Sequence, residues 1–446
     1  MNGFVRRKVQ LYKGSSMKKI AIVGGGISGL TVAERLSEQF EITLFEQNDY
    51  LGGHTQTHQL EIEGCSRAID TGFIVFNDWT YPNFIALMDE LGVASKPSEM
   101  SFSLSDVGSG LEYAGSNLNT LFAQRKNIAS PKFLGMLRDI MRFNRESVAD
   151  LEAGRLDPGM SLGEYLQRGR YSATFIDYYL LPMGSAIWSA DVPVMLEFPL
   201  QFFVRFFRNH GLLSIRNRPQ WRVIEGGSRE YLKPLSDPFS HNIHTDSCIA
   251  GVKRREQGAE LRMIDGSVEH FDSVVFACHS DQALAMLDDA KPKEQEILGA
   301  IPYQNNDIVL HTDTQLLPDR ELAWSSWNYQ RRPDTQRATL TYNMNILQGI
   351  TAPETFCVTL NDRESINPHK ILGQFEYSHP VFTLPGIAAQ ERWGEINGGS
   401  TWFCGAYWRN GFHEDGVYSA LKVANGLGVG GSRSNGVPLS LVGSAA

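Results

Sequence analysis

Residues 18–54 read KKIAIVGGGISGLTVAERLSEQFEITLFEQNDYLGGH, and this stretch decides the fold. Lys19 to Val23 is a short apolar run rich in Ile and Val, the composition of a strand buried in a parallel sheet. It ends on Gly24, Gly26 and Gly29, spaced G-x-G-x-x-G. Between 28 and 39, Leu30, Ala33 and Leu36 fall near helical spacing, and 42–45 is a second apolar run closing on Glu46. Strand, glycine turn, helix, strand and carboxylate in that order predict one βαβ unit of about thirty residues.

Each residue type has a physical reason. Gly24 permits a tight turn, Gly26 leaves no Cβ between the backbone and a pyrophosphate, and Gly29 lets helix pack closely on strand. Ile27 and Ser28 open the helix, whose first N–H groups and positive dipole end suit phosphate oxygens. Glu46 stands where a carboxylate accepts hydrogen bonds from a ribose hydroxyl and repels a 2′-phosphate. A second copy of the spacing, Gly426, Gly428 and Gly431, follows no strand and lies in a Gly/Ser-rich tail, so it reads as linker.

Just past Glu46, the doublet Gly52–Gly53 and His54 offer a second piece of backbone to close over a dinucleotide. With these motifs the chain resembles the flavin-containing amine oxidase and phytoene desaturase superfamily, which carries the glycine motif, the acidic residue and then a GG doublet. The family usually has Arg after the doublet where this chain has His54. The resemblance implies bound FAD and an α/β fold: a Rossmann-like FAD-binding domain of the glutathione reductase type, with an inserted α+β substrate domain on a mixed or antiparallel sheet.

The chain of 446 residues is long enough for two domains with sizeable cores. A formal net charge of −9 argues against nucleic acid as the main partner. Aromatic residues at 11% fit an apolar substrate cavity, or simply large cores. Five scattered cysteines without a C-x-x-C pair read as reduced thiols of a cytoplasmic protein. Cys404 precedes a flavin-side motif and reads as a small buried residue rather than a point of covalent attachment. Residues 1–16 are basic without a signal-peptide core, Met17 is a candidate natural start, and no apolar run is long enough to span a bilayer.

Farther along, 68–76 (AIDTGFIVF) predicts a strand interrupted by Gly72, which serves either close backbone approach beside a flavin or an ordinary bulge. A helix over 81–91 and a hairpin over 100–113 begin a second module. The helix over 131–151 places Phe133, Leu137, Ile140, Met141, Asn144 and Val148 near one face, with Lys132, Arg138, Arg142 and Arg145 around the other. That basic amphipathic pattern fits a solvated face or peripheral contact with an anionic membrane. Residues 198–213 (FPLQFFVRFFRNHGLL) are apolar on nearly all sides, as in a buried helix or the wall of an acyl-chain tunnel, and 181–189 (LPMGSAIWS) is expected to shape the same cavity.

The nucleotide domain resumes at 224–228 (IEGGS). The resemblance places Ile249 and Val252 on a strand touching adenine. The run 273–278 reads as its closing strand, and period-two runs between 301 and 385 predict a mixed or antiparallel sheet. At the C-terminus a short strand over 401–406 with Gly405 precedes a helix over 414–425. The resemblance directs that helix's N-terminus at the flavin, with Gly416 and the backbone around Asp415 as candidate donors. The division expected is 17–80, 215–290 and 395–428 for the FAD-binding domain, 81–214 and 291–394 for the substrate domain, and flexible tails at 1–16 and 429–446.

Tyr407 and Trp408 are candidates to flank a flavin face, or are structural aromatics. His54, His379 and His413 are candidate proton acceptors, though each also reads as a satisfied polar residue. No metal site is expected. Strings such as DTGFIVFNDWTYPNF, ACHSDQAL and GAYWRNGFHEDGV resemble a bacterial subgroup of NAD/FAD-binding, amine-oxidase-like proteins that accompanies cyclopropane-fatty-acid synthase-like methyltransferases. The resemblance implies dehydrogenation of a methylated or unsaturated acyl chain in a membrane lipid. The alternatives are oxidation of a small amine and a non-catalytic lipid carrier. The electron acceptor is left open among oxygen, a quinone and another carrier.

Overall fold

The strand Lys19–Val23 lies at the centre of a five-stranded, wholly parallel sheet ordered Ile243–His244, Glu41–Phe45, Lys19–Val23, Ser273–Phe276, Thr401–Phe403. Its alternate side chains face two cores. Ile20 and Ile22 join Leu44 and Val275 on one face, whereas Ala21 and Val23 join Phe45, Val274 and Phe276 on the other. Burial on both faces explains why the strand reads as an unbroken apolar run. This computed structural model describes residues 17–429 except positions 63, 215, 334 and 336. Gly431, residues 1–16 and nearly all of the expected C-terminal tail therefore lie outside the described residues.

Helices Ile27–Leu36 and His413–Gly426 pack against each other on one face of the sheet. The antiparallel strands Ile249–Arg254, Ala259–Met263 and Val268–Phe271 cover the other, through Val252, Leu261 and Phe271. All five parallel strands point their carboxyl ends the same way. That edge gathers Gly24, Glu46, the segment 277–279 and Gly405, the place where open α/β sheets bind ligands.

A seven-stranded mixed sheet forms the second layer, ordered Ile371–Pro380, Tyr303–His311, Cys357–Leu360, Leu340–Asn343, Trp327–Arg331, Phe102–Asp106, Leu111–Ala114. Every pairing is antiparallel except Trp327–Arg331 with Phe102–Asp106. The helices Pro131–Glu152, Leu181–Trp188 and Leu200–Asn209 share its core through Phe143, Trp188, Phe203 and Phe207. Burying one such ring stabilises the fold by about 2 kcal/mol.

Four expectations need correction. The helix Pro82–Leu91 does not open the second module: Phe84, Leu87 and Met88 are buried with Ile22 and Leu30 in the core of the parallel sheet. The run 68–76 is not one strand but Cys65–Asp70 and Phe76–Asn77, with an irregular stretch at Gly72. Leu200–Asn209 is amphipathic rather than apolar all round, since Arg205 and Arg208 are exposed opposite Phe203 and Phe207. Finally, Pro131–Glu152 buries Phe133, Met136, Phe143 and Ser147, so Met141 points outward, 56% exposed, with Leu134.

Among the described residues no helix is long and apolar enough to cross a membrane.

Candidate active site

Gly24 adopts φ +113°, and a Cβ there would sit 2.8 Å from the Ala277 carbonyl oxygen. A Cβ on Gly29 would fall 1.9 Å from the Gly24 carbonyl oxygen. Gly26 differs: its Cβ would meet only the Gly52 carbonyl oxygen, at 4.0 Å. Ile27 and Ser28 begin a helix with no side-chain cap and no acid in its first turn. Its first N–H groups thus have no acceptor within the helix.

Glu46 is buried and stitches the loops above it. Its Oε2 accepts from Gly25 N–H (2.7 Å), and its Oε1 accepts from Asn48 N–H (2.9 Å) and Asn48 Nδ2 (2.8 Å). Gly52 N–H donates to the Gly25 carbonyl (2.9 Å), so the GG doublet closes directly on the first glycine turn. Ser247 N–H donates to the Glu46 carbonyl, which brings the approach to Ile249 to the same corner. A Cβ on Gly72 would lie 2.0 Å from the His54 carbonyl oxygen, so this glycine admits the backbone of His54.

The C-terminal segment converges on the same place. Ser28 Oγ donates to the Gly416 carbonyl (3.1 Å), and a Cβ on Gly416 would press on Ile27 and Ser28. The backbone donors expected at Asp415 and Gly416 are engaged, since both N–H groups donate to the Phe412 carbonyl (2.9 and 3.1 Å). The Asp415 carboxylate caps its own helix by accepting from Phe412 N–H (3.0 Å). First-turn N–H groups without a helical acceptor are therefore those of His413 and Glu414.

Tyr407 and Trp408 are buried together, ring centroids 5.0 Å apart, in the core beneath the sheet with Phe276, Phe403 and Ile396. Tyr407 lies over Gly405, and neither polar atom finds a partner beyond the other ring. Cys404 is fully buried, its N–H on the Phe276 carbonyl and its thiol pushed up by burial.

Three histidines meet where the two sheets face each other. His54 lies 5.3 Å from His379 and 5.9 Å from His279, ring to ring, with Tyr377 at 5.2 Å. Burial lowers His54 to about 4, with His279 adding to the effect, lowers His279 to about 4, and lowers His379 to about 3. These imidazoles are neutral near pH 7. His54 Nε2 is buried with no hydrogen-bond partner.

His413 Nε2 lies 3.0 Å from both Thr55 Oγ1 and Tyr231 OH, and its ring stacks on Phe73 at 3.5 Å. Burial holds it well below the usual histidine range. Glu414, beside it, accepts from Asn83 Nδ2 (2.6 Å) and Phe84 N–H (2.9 Å), capping helix Pro82–Leu91; burial nonetheless raises its carboxyl to about 7.

Residue types alone did not single out His279, Tyr377 or Phe412. Phe412 stacks on Phe206 (5.3 Å) and touches the cores of both layers. Phe202 stacks on Phe382 (5.0 Å) beside it, and Phe382 is the ring that a Cβ on Gly411 would meet. Only the phenylalanine-rich composition of 198–213 signals this aromatic wall.

The residues fit FAD: Gly26 opens room over an uncapped helix start, Glu46 stands at the next strand end, and His54 leaves a buried polar atom unmatched. Residues 27–350, well over half the chain, match the model of the family described as flavin containing amine oxidoreductase. The chain belongs to that family. As a member it is an FAD-dependent oxidoreductase. Among curated proteins it is 38% identical over 87 residues to the 1-hydroxycarotenoid 3,4-desaturase of Flavobacterium sp. (strain P99-3), a match spanning 19% of this chain and 16% of the desaturase. Among solved structures, cyclohexylamine oxidase from Brevibacterium oxydans IH-35A superposes at TM-score 0.63 with 16% identity, covering 92% of this chain and 100% of that one. The CLA-producing fatty acid isomerase from P. acnes superposes at TM-score 0.65 with 15% identity, covering 92% and 98%. At these identities the likeness is one of fold.

Proposed function

We propose that this flavoprotein dehydrogenates a carbon–carbon bond in the fatty acyl chain of a membrane lipid, the chain being methylated or unsaturated. The observation that carries this reading is the aromatic wall of Phe412, Phe206, Phe202 and Phe382, on which His210, kept neutral by burial, stacks through Phe206 (3.8 Å). Such a surface solvates an uncharged, apolar chain. A fatty acid isomerase and a carotenoid desaturase among the similar proteins support the same class of substrate.

In this reading Gly26, Ile27, Ser28, Glu46, Gly52, Gly53 and the first turn at His413 hold the cofactor. FAD, when bound, supplies a hydride acceptor at N5. The protein's part is to seat the chain against the aromatic wall and exclude water. One hydrogen would leave its carbon as hydride and the neighbouring one as a proton, for which His54 Nε2, buried without a partner, is the candidate acceptor. Turnover then needs a two-electron acceptor of the dioxygen or quinone class.

Anaerobic bleaching of the flavin tests the assignment. Phospholipids with mid-chain methyl-branched or unsaturated acyl groups are expected to bleach it. Bleaching by primary amines or polyamines alone would replace the acyl-chain reading with amine oxidation.

A further inference from the structure

The outward side of helix Pro131–Glu152 carries what its packing does not use. Leu134, Arg138, Met141 and Arg145, spaced four, three and four apart, share one exposed face. Leu134 is 44% and Met141 56% exposed, and Ile128, just ahead of the helix, is 55% exposed. Outward apolar side chains at this density are not what solvation alone requires.

Charge points the same way. Residues 125–145 hold six basic side chains (Arg125, Lys126, Lys132, Arg138, Arg142, Arg145) and one acid (Asp139), an excess of five in a chain whose net charge is −9. Arg142 pairs with Asp139 (3.4 Å) and lies over Tyr171. Arg145 is 77% exposed, 3.5 Å from Glu146. Lys132 and Arg138 are exposed and make no ion pair among the described residues. A local basic patch on an acidic molecule favours presenting that patch to an anionic plane.

We propose that this face docks the protein on an anionic phospholipid bilayer. The helix, about 33 Å long, lies in the interface with Leu134, Met141 and Ile128 inserted among the lipids and Lys132, Arg138 and Arg145 against the phosphates. Its inner side meets the phenylalanine-rich helix directly, through Phe143 against Phe203 (6.4 Å) and the Arg208–Glu152 pair (2.8 Å). Docking thus sets the aromatic core close behind the lipid surface. The inference does not depend on the acyl-chain assignment, since an amine oxidase bearing this face would bind the same vesicles.

Sedimentation of the full-length flavoprotein with vesicles tests it. Binding is expected with equal parts phosphatidylcholine and phosphatidylglycerol, to be absent with phosphatidylcholine alone, and to weaken as salt is raised. Arg138→Glu with Arg145→Glu should cut binding to mixed vesicles by about tenfold or more, and Leu134→Ser with Met141→Ser by about fivefold. Both pairs are exposed, so flavin content and far-UV circular dichroism should stay unchanged. Failure to bind mixed vesicles, equal binding to neutral ones, or undiminished binding by the charge-reversed protein would overturn the proposal. So would concentration-dependent self-association that the Leu134/Met141 pair abolishes, which would make the face an interface between copies.

Discussion

Gly26 and Gly29 stand three residues apart and meet different demands. At Gly29 a single added methyl would enter the Gly24 carbonyl, so Gly29→Ala must shift the turn against the helix. We expect a loss of about 3 kcal/mol, read from the urea midpoint. At Gly26 the protein leaves room, since an added Cβ meets nothing nearer than the Gly52 carbonyl oxygen at 4.0 Å. Gly26→Val is therefore expected to fold and to lose its yellow chromophore, and stoichiometric flavin in that variant would contradict the placement of the pyrophosphate. Both positions are legible in the residue types. His279 and Phe412 are not, because nothing in their neighbours distinguishes them from any other ring.

At the scale of elements, one helix is held at its start by another. Pro82–Leu91 has no capping side chain of its own, and Glu414, 331 residues downstream of Asn83, supplies it. Glu414→Ala would leave Asn83 and Phe84 N–H buried without acceptors. The expected cost is about 2 kcal/mol, with Glu414→Gln recovering most of it, measured by equilibrium unfolding. This long-range cap is why the helix belongs to the parallel sheet although its sequence suggests the start of a new module. Pro131–Glu152 shows the converse: its helical period is plain, but which side faces inward depends on the partners of Phe143 and Met136. Both flanks of the helix carry apolar residues, so periodicity alone pointed Met141 the wrong way.

For the whole molecule, burial of histidine sets the response to acid. His54, His210, His279 and His311 are lowered to about 4 and His379 to about 3, chiefly by burial, against an ordinary 6.5. Between those limits the unfolded chain binds protons that the folded chain refuses, so stability is complete above the ordinary value and is lost as pH falls below it. Asp70, raised to about 6, Glu414, raised to about 7, and Asp177 and Asp415, also raised by burial, act in the opposite sense, but with His58 and His413 lowered too, four carboxyls oppose seven imidazoles. Thermal unfolding is expected to weaken by at least about 2 kcal/mol from about pH 7 to about pH 5; an unchanged or rising midpoint would mean that the imidazoles are solvated.

The sequence by itself determined the dinucleotide cradle and the parallel sheet that presents it. A tight turn, a close helix–strand contact and a strand buried on both faces each demand particular residues within a few positions of one another, and those demands are local. The cluster of histidines and phenylalanines follows from tertiary structure alone. His54, His279, His379 and His413, with Phe412 against Phe206, come from segments far apart in the chain. Rings brought together across two sheets obey packing and desolvation rather than any spacing along the backbone.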